Sequence, residues 1–244
     1  MEIRRDETSH TVRERFGSIV GTREPIPMAL WTPETGDCSR LILVGHGGSG
    51  SKQEGYVVSL ARGLVRNHGC AVCAIDGPVH GERGGEGALL PFLQFAERWS
   101  SDEKLTDNMV ADWRDTLDSL LEVPELAKIA TVGYWGLSMG TIFGLPFVAA
   151  EPRIKAAVLG LMGRTGPSAE RLAADALRVR VPTLFLAQWD DELVDRERAF
   201  ELFGLLGTAD KTMIVSPGAH AAVTAESFRR SAEFLVDRLA PQLD

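Results

Sequence analysis

The chain has few cysteines and no long apolar run, and both absences narrow its function. Its three cysteines are an odd number and do not make the disulfide framework of a small secreted protein. Cys70 and Cys73 have C-x-x-C spacing but border an apolar strand, which favours a buried pair over a redox or metal site. No stretch approaches the roughly 18 to 20 consecutive apolar residues of a membrane span, and the first residues lack a signal-peptide apolar region. We therefore expect a cytoplasmic protein without a membrane partner.

A surplus of positive charge is also missing. Lys and Arg total 26 against 34 Asp and Glu, which gives a net charge of -8. Proteins that bind nucleic acids or anionic membranes cluster Lys and Arg, so we expect a small-molecule partner and no nucleic acid. The 244 residues, 44% of them hydrophobic, are enough for one large core, and we predict a single α/β domain over residues 1–244.

Short apolar runs alternate with helical patterns along most of the chain. Residues 11–20 and 26–33 are typical of an antiparallel hairpin. Six further apolar runs predict strands at 41–44, 71–76, 129–135, 156–161, 183–187 and 212–215. Helices are expected between them, at about 54–67, 107–123, 142–148, 196–206 and 222–239. The alternation predicts a mostly parallel, eight-stranded sheet with helices on both faces.

The segment at about 84–108 departs from this alternation. It opens with several glycines and then places Phe92, Phe95, Ala96 and Trp99 at helical spacing. Two interpretations are equally good: a small cap inserted into the domain, or a helix that this stripe packs against the core. A cap would give a substrate pocket apolar side chains, among them Leu89 and Leu90.

A Gly-x-Ser-x-Gly pattern at residues 136–140 is the first sign of chemistry. Ser138 lies between an apolar run and a helix-compatible segment, which is the context of a nucleophile elbow, where a sharp strand-to-helix turn exposes a serine hydroxyl. The pattern alone is weak, because glycine-rich turns often carry an ordinary serine.

A serine nucleophile needs a general base and a carboxylate that orients the base. Of the five histidines, only His220 follows Ser138, and it lies directly after the last predicted strand, where the active-site loops of parallel sheets collect. The turn after the preceding strand offers the candidate acids, which are Asp190, Asp191, Glu192 and Asp195. Asp190 and Asp191 could instead form a solvated turn, with one of them capping the helix that begins at Arg196.

With these features in this order, the chain resembles the α/β-hydrolase family, particularly its dienelactone-hydrolase-like and small serine esterase groups. The family carries a G-x-x-D-x-x-V stretch that matches residues 188–194, which implies that Asp191 is the acid. Gln188 replaces the family glycine, and this departure leaves Asp190 as an alternative. Thr141 likewise replaces a second glycine that is common after the family's elbow.

Two loops extend the resemblance. Residues 45–50 are similar to the family's H-G-x loop, which implies that the amides of Met139 and Gly48 form the oxyanion hole, with Ser49 as a competitor to Gly48. His46 is then a structural hydrogen-bonding residue. Residues 76–83 resemble the D-x-P-G-H-G-x-S/R loop, with valine in place of one glycine, and imply structural hydrogen bonds from Asp76 and His80.

The resemblance implies a serine hydrolase that cleaves a small carboxylic ester through an acyl-enzyme. Ser138 would attack, His220 would carry the proton and Asp191 would orient the imidazole, with no metal or organic cofactor. The alternatives are a dienelactone-hydrolase-like lactonase, a thioesterase or a peptidase on the same triad. A non-catalytic ligand-binding protein of the same fold is a further alternative.

Overall fold

In the computed structural model, which describes residues 1–84 and 91–240, nine strands form one sheet that is flanked by helices. The strands are β1 (Glu2–Ser9), β2 (Val12–Ile19), β3 (Ile26–Pro33), β4 (Arg40–Gly45), β5 (Ala71–Ile75), β6 (Thr131–Gly136), β7 (Ile154–Gly160), β8 (Thr183–Gln188) and β9 (Lys211–Ser216). The helices are α1 (Gly55–His68), α2 (Pro91–Ser101), α3 (Leu105–Leu121), α4 (Met139–Ala150), α5 (Ala169–Ala176), α6 (Arg196–Leu205) and α7 (Ala225–Arg238).

The strand order is β1-β2-β3-β5-β4-β6-β7-β8-β9. The first three strands form an antiparallel meander, β3 pairs antiparallel with β5, and the strands from β5 to β9 along this order are parallel. The mostly parallel sheet and the hairpin of β2 and β3 are confirmed. Parallel strands have their carboxyl ends at the same end of the sheet. The loops after β4, β5, β6, β8 and β9 therefore meet at that end.

The predicted number of eight strands is wrong by one, because β1 was not recognised. All eight residues of β1 are exposed, so the strand has no buried face and none of the apolar alternation from which a strand is predicted. Its backbone pairs along the length of β2, from Glu2 opposite Ser18 to Ser9 opposite Val12.

Helices cover both faces of the sheet and separate the core into two layers. Helices α1 and α7 pack on one face, and α3 to α6 pack on the other. Residues 139–148 of α4 are all buried, since this helix lies between α3 and α5 as well as on the sheet. Within the described ranges, no helix is long and apolar enough to cross a membrane.

Part of the segment at about 84–108 lies outside the described residues, including Leu89 and Leu90. Of the described part, Phe95 is buried against Phe143, with ring centroids 5.9 Å apart. The indole N–H of Trp99 donates a hydrogen bond to Ser168 Oγ. These contacts are those of a helix packed on the core. The single domain over residues 1–244 stays a prediction, supported by a sheet that takes strands from residue 2 to residue 216.

Candidate active site

Ser138 occupies the turn between β6 and α4 in a strained conformation. Its φ is 56° and its ψ is -118°, in a region that residues other than glycine rarely adopt. Its backbone N–H donates to the Gly160 carbonyl at 2.9 Å, so the turn is attached to the end of the neighbouring strand β7. The side chain is half-buried, as a nucleophile elbow requires if the hydroxyl is to meet a ligand.

The two glycines of the Gly-x-Ser-x-Gly pattern are needed because other backbone passes too close for a side chain. A Cβ at Gly136 would lie 2.7 Å from the Gly140 carbonyl oxygen. A Cβ at Gly140 would collide with the carbonyl oxygen of Gly45, at the end of β4. Both glycines therefore let the elbow sit directly against the central strands.

Thr141 is a structural residue of the elbow whose bonds the sequence did not reveal. Its hydroxyl oxygen lies 2.9 Å from the Gly136 carbonyl and 2.7 Å from the Gly160 carbonyl, and it accepts the Gly160 N–H at 2.8 Å. A hydroxyl has one proton, so it donates to one carbonyl at a time while it accepts from the amide. The residue that replaces a family glycine thus links the elbow to β7.

Asp191, His220 and Ser138 form a continuous chain of hydrogen bonds. His220 Nδ1 lies 2.8 and 3.0 Å from the two carboxylate oxygens of Asp191, and His220 Nε2 lies 2.9 Å from Ser138 Oγ. An ionised carboxylate only accepts hydrogen bonds, so the ring proton belongs on Nδ1 and the bare Nε2 accepts from the serine hydroxyl. The side chains of His220 and Asp191 are only 12% and 4% exposed, which shields the chain from water.

The neighbouring carboxylates of the acid turn bind backbone groups instead of the ring. Asp190 Oδ2 accepts the Gly218 N–H at 3.1 Å, and Glu192 Oε2 accepts the His220 N–H at 2.8 Å. The hydrogen bond from His220 lowers the pKa of Glu192. The arrangement therefore favours Asp191 over Asp190 as the partner of the imidazole, and it ties the acid turn to the histidine loop.

The expectation that Asp190 or Asp191 caps the helix at Arg196 is wrong. Asp195 is the N-cap of α6, and its carboxylate accepts from the backbone N–H of Glu197 at 2.8 Å. A capping side chain must directly precede the first turn to reach these N–H groups, and Asp190 and Asp191 come too early in the chain.

Gln188 also supports the histidine loop, although the sequence indicated only that it departs from the family glycine. The side chain is buried, and its Nε2 donates to the Ala219 carbonyl at 3.2 Å. It thereby connects the end of β8 to the residue that precedes His220.

The amides predicted for the oxyanion hole have no acceptor among the described residues. The Met139 N–H belongs to the first turn of α4, where helix N–H groups have no partner within the helix. Within the described ranges, the N–H groups of Met139, Gly48 and Ser49 donate to no protein acceptor, whereas the Gly47 N–H donates to Tyr56 Oη at 2.6 Å. Three donors thus remain available, and the choice between Gly48 and Ser49 stays a prediction.

A cavity of about 390 Å³ opens beside Ser138 and His220. Its remaining lining residues are mostly apolar or glycine, and they are Gly47, Gly48, Ser49, Glu54, Tyr56, Leu137, Leu161, Leu193, Ala221, Val223 and Phe228. Phe95 and Trp99 are not among the residues that line this cavity, so of the two interpretations of the segment at about 84–108 their contacts fit the helix packed on the core. Glu54 carries a carboxylate, and within the described part of the chain no lysine or arginine lines the cavity.

The three cysteines are free and buried. Burial raises the pKa of Cys70 to about 11 and that of Cys73 to about 12, so both are thiols at neutral pH and poor nucleophiles. Among residues 1–84 and 91–240, no group of three or more His, Cys, Asp or Glu side chains is arranged to hold a metal ion.

Solved structures provide the decisive comparison. A cold-adapted esterase from an Arctic intertidal metagenomic library is 40% identical over 98% of this chain and 100% of its own, with a TM-score of 0.87. The chain belongs to the α/β-hydrolase family. Other α/β hydrolases share the fold at lower identity: a Pyrococcus furiosus esterase is 16% identical over 93% of each chain, with a TM-score of 0.70. A dienelactone hydrolase from Anabaena variabilis is 18% identical over 94% of this chain and 97% of its own, also with a TM-score of 0.70. No protein-family model and no curated protein matches the chain.

Proposed function

We propose that this α/β hydrolase is a serine esterase that cleaves small, uncharged carboxylic esters through an acyl-enzyme. The observation that carries the proposal is the hydrogen-bonded chain from Asp191 through His220 to Ser138. The kinship with an esterase of 40% identity supports the same class of reaction.

In the proposed reaction His220 Nε2 removes the proton of Ser138 Oγ as this oxygen attacks the ester carbonyl carbon. The tetrahedral intermediate collapses, the bond to the alcohol oxygen breaks, and the imidazolium gives its proton to the departing alkoxide. His220 then deprotonates a water molecule as its oxygen attacks the acyl carbon. The bond from this carbon to Ser138 Oγ breaks, and the imidazolium returns its proton to Oγ, which releases the carboxylic acid and free Ser138. Asp191 keeps the imidazole in the required tautomer and stabilises its positive charge.

The negative charge on the carbonyl oxygen needs donors that are already in place. The Met139 amide is suited to this role because it follows the nucleophile directly and opens α4, whose dipole favours an anion at its N-terminus. The Gly48 amide is the proposed second donor. Fixed backbone N–H groups stabilise the transition state more than the substrate, because they need no reorganisation as the charge develops.

The cavity lining supports an uncharged substrate with an apolar part. Tyr56, Leu161, Val223 and Phe228 offer apolar contact, while the Glu54 carboxylate has no cation beside it in the lining. A carboxylate on the substrate would therefore meet a like charge and no partner. The lining therefore disfavours an anionic lactone. It does not distinguish esters from thioesters or peptides, and the proposal of an ester rests on the similarity to the esterase.

Reaction of the purified protein with a fluorophosphonate and with p-nitrophenyl butyrate tests the proposal. Wild type should be labelled at Ser138, as located by peptide mass spectrometry, and should release p-nitrophenol, while a folded Ser138→Ala variant should do neither. A folded wild type that neither labels nor turns over any ester in a panel of p-nitrophenyl esters would instead support the ligand-binding alternative. Parallel assays with lactones, thioesters and aminoacyl amides separate the remaining activities.

A further inference from the structure

Two histidine rings lie against the backbone on either side of the Gly48 α-carbon, one at the Gly47 carbonyl and one at the Gly48 carbonyl. His46 Nδ1 lies 2.8 Å from the Gly47 carbonyl oxygen, and His80 Nε2 lies 2.8 Å from the Gly48 carbonyl oxygen. Both rings are buried, and their centroids are 5.2 Å apart. The two peptide groups that flank the α-carbon of Gly48 are therefore each held from the interior.

The bond from His46 has a defined direction. The Gly77 backbone N–H donates to His46 Nε2 at 2.8 Å, so this nitrogen is the acceptor and the proton lies on Nδ1. Nδ1 then donates to the Gly47 carbonyl. Burial lowers the pKa of His46 to about 4, in agreement with a neutral ring.

His80 reaches Gly48 from a different loop, the one that follows β5. Its Nδ1 lies 2.7 Å from the Pro78 carbonyl oxygen. The carbonyl oxygens of Pro78 and Gly48 only accept hydrogen bonds, so a ring with a single N–H donates to one of them and a ring with both N–H groups donates to both. Val79, directly before it, has a φ of 59°, a conformation that costs free energy in a β-branched residue. Asp76 attaches this loop to the Gly48 loop, because its carboxylate accepts the backbone N–H groups of Lys52 and Glu82 at 3.0 and 2.9 Å.

The carbonyl anchors also determine where the amides point. The chain contains no cis peptide bond among the described residues, and in a trans peptide the N–H is directed opposite to the C=O. The N–H groups of Gly48 and Ser49 therefore point away from the two imidazoles, and both residues line the cavity beside Ser138. The Gly47 carbonyl shares its peptide group with the Gly48 N–H, and the Gly48 carbonyl shares its peptide group with the Ser49 N–H, so His46 orients the first donor directly and His80 orients the second. Glycine has the widest range of backbone conformations. Without the His80 bond the Gly48–Ser49 peptide group could therefore rotate, which would turn the Ser49 N–H and remove one of the two bonds that fix the backbone at Gly48.

We propose that His80 is a positioning residue for the oxyanion hole: by donating from Nε2 to the Gly48 carbonyl, it holds the donor loop in the orientation that ester hydrolysis requires. The inference rests on the proposed esterase function. Loss of the bond should lower kcat by about 10- to 100-fold, since a misplaced donor costs less than a missing one and still slows the reaction strongly. KM should change by less than about threefold, because the substrate is bound mainly by the apolar lining.

Two amide variants separate the two ring nitrogens. In His80→Gln the side-chain amide nitrogen replaces Nε2 and can still donate to the Gly48 carbonyl. In His80→Asn the shorter side chain replaces Nδ1 and can donate only to the Pro78 carbonyl. Steady-state kinetics with p-nitrophenyl butyrate should therefore show kcat within about threefold of wild type for His80→Gln and the full loss for His80→Asn. His10→Asn, on the exposed turn between β1 and β2, is the matched control and should behave as wild type.

Inhibition by butylboronic acid provides a readout that a merely structural role would not move. Its tetrahedral adduct with a serine oxygen places a charged oxygen in the oxyanion hole, so the inhibition constant should rise in His80→Asn by a factor similar to the fall in kcat.

Circular dichroism and thermal unfolding establish that the variants are folded. A folded His80→Asn with wild-type kcat and inhibition overturns the role of His80. If His80→Asn does not fold, His80→Gln decides, and a folded His80→Gln with a tenfold lower kcat overturns the role. An inactive wild type would contradict the esterase proposal instead.

Discussion

The two halves of the candidate site are held together in different ways. The oxyanion half consists of the loops at residues 46–52 and 76–83, and four of its polar side chains are buried, namely His46, Lys52, Asp76 and His80. The acid–base half consists of the loops at residues 188–195 and 216–220. Its carboxylates Asp190 and Glu192 are exposed and bind backbone N–H groups of the opposite loop.

A buried ion pair is the centre of the oxyanion half. Lys52 Nζ lies 2.6 Å from Asp76 Oδ2, and these side chains are 1% and 0% exposed. Removing one member of a buried pair leaves a charge without compensation, which is costly, whereas changes in exposed charges cost little. The comparison teaches that the oxyanion half depends on a buried polar network whose disruption should cost stability, whereas changes in the acid–base half should affect the proposed proton transfer with little effect on stability.

The largest expected effect is on the acid–base half and on rate alone. In Asp191→Asn, Oδ1 can still accept the backbone N–H groups of Leu193 and Val194, which Asp191 accepts at 2.9 Å. The amide NH₂ would then face His220 Nδ1 and force the ring proton onto Nε2, where it blocks proton removal from Ser138. We expect kcat for p-nitrophenyl butyrate to fall by about 10³- to 10⁴-fold, with a thermal midpoint close to that of wild type.

Asp190→Asn is the matched control for this prediction. Its amide oxygen can still accept the Gly218 N–H, so kcat should stay within about threefold of wild type. A reversed order, with Asp190→Asn the slower enzyme, would transfer the role of the acid to Asp190.

The second prediction concerns the oxyanion half and stability. Lys52→Met removes the ammonium group and leaves the buried carboxylate of Asp76 without its ion-pair partner, so the free energy of unfolding should fall by about 3–5 kcal/mol. Urea unfolding followed by circular dichroism measures this loss. Lys128→Met removes an exposed pair with Asp37, in which both side chains are more than 70% exposed, and should leave the urea midpoint unchanged. Equal losses in the two variants would contradict the contrast between buried and exposed pairs.

The sequence predicted the elements that have a period or a motif. Buried strands such as β4 and β6 are apolar runs, Ser138 lies in the turn after β6 and His220 lies in the loop after β9, so their positions could be predicted from the order of the chain. β1 could not be predicted, because its residues are all exposed and its only partner is the backbone of β2. The two interpretations of the segment at about 84–108 stayed open for a related reason: a helical stripe such as Phe95 and Trp99 shows that a face is buried, and not what buries it.

Polar contacts between distant loops were the other part that the sequence did not reveal. Gln188, Thr141 and His80 each bind a backbone carbonyl of another strand or loop. Backbone carbonyls are present at every position, so no residue pattern marks the acceptor, and only the fold brings the pair together. The family resemblance indicated that Gln188 and Thr141 depart from glycine, and their hydrogen bonds give those departures a physical reason.

The smallest effect, a pH dependence of stability, should again separate the two halves. His46 has a pKa lowered by burial to about 4, while an unfolded histidine has a pKa of about 6.5. Between these values the unfolded chain binds a proton that the folded protein does not bind. The contribution of the neutral ring is therefore fully present above about pH 6.5 and decreases as the pH falls toward 4. From pH 7 to pH 5 wild type should lose roughly 2 kcal/mol through this group.

His46→Gln cannot titrate, and its amide oxygen can accept the Gly77 N–H, so in urea unfolding at pH 7, 6 and 5 it should lose less stability than wild type by that amount. His10→Gln, which changes an exposed histidine, should keep the wild-type slope. If wild type and His46→Gln lose stability in parallel, the ring is not held neutral by burial, and the oxyanion half is more open to water than its buried side chains indicate.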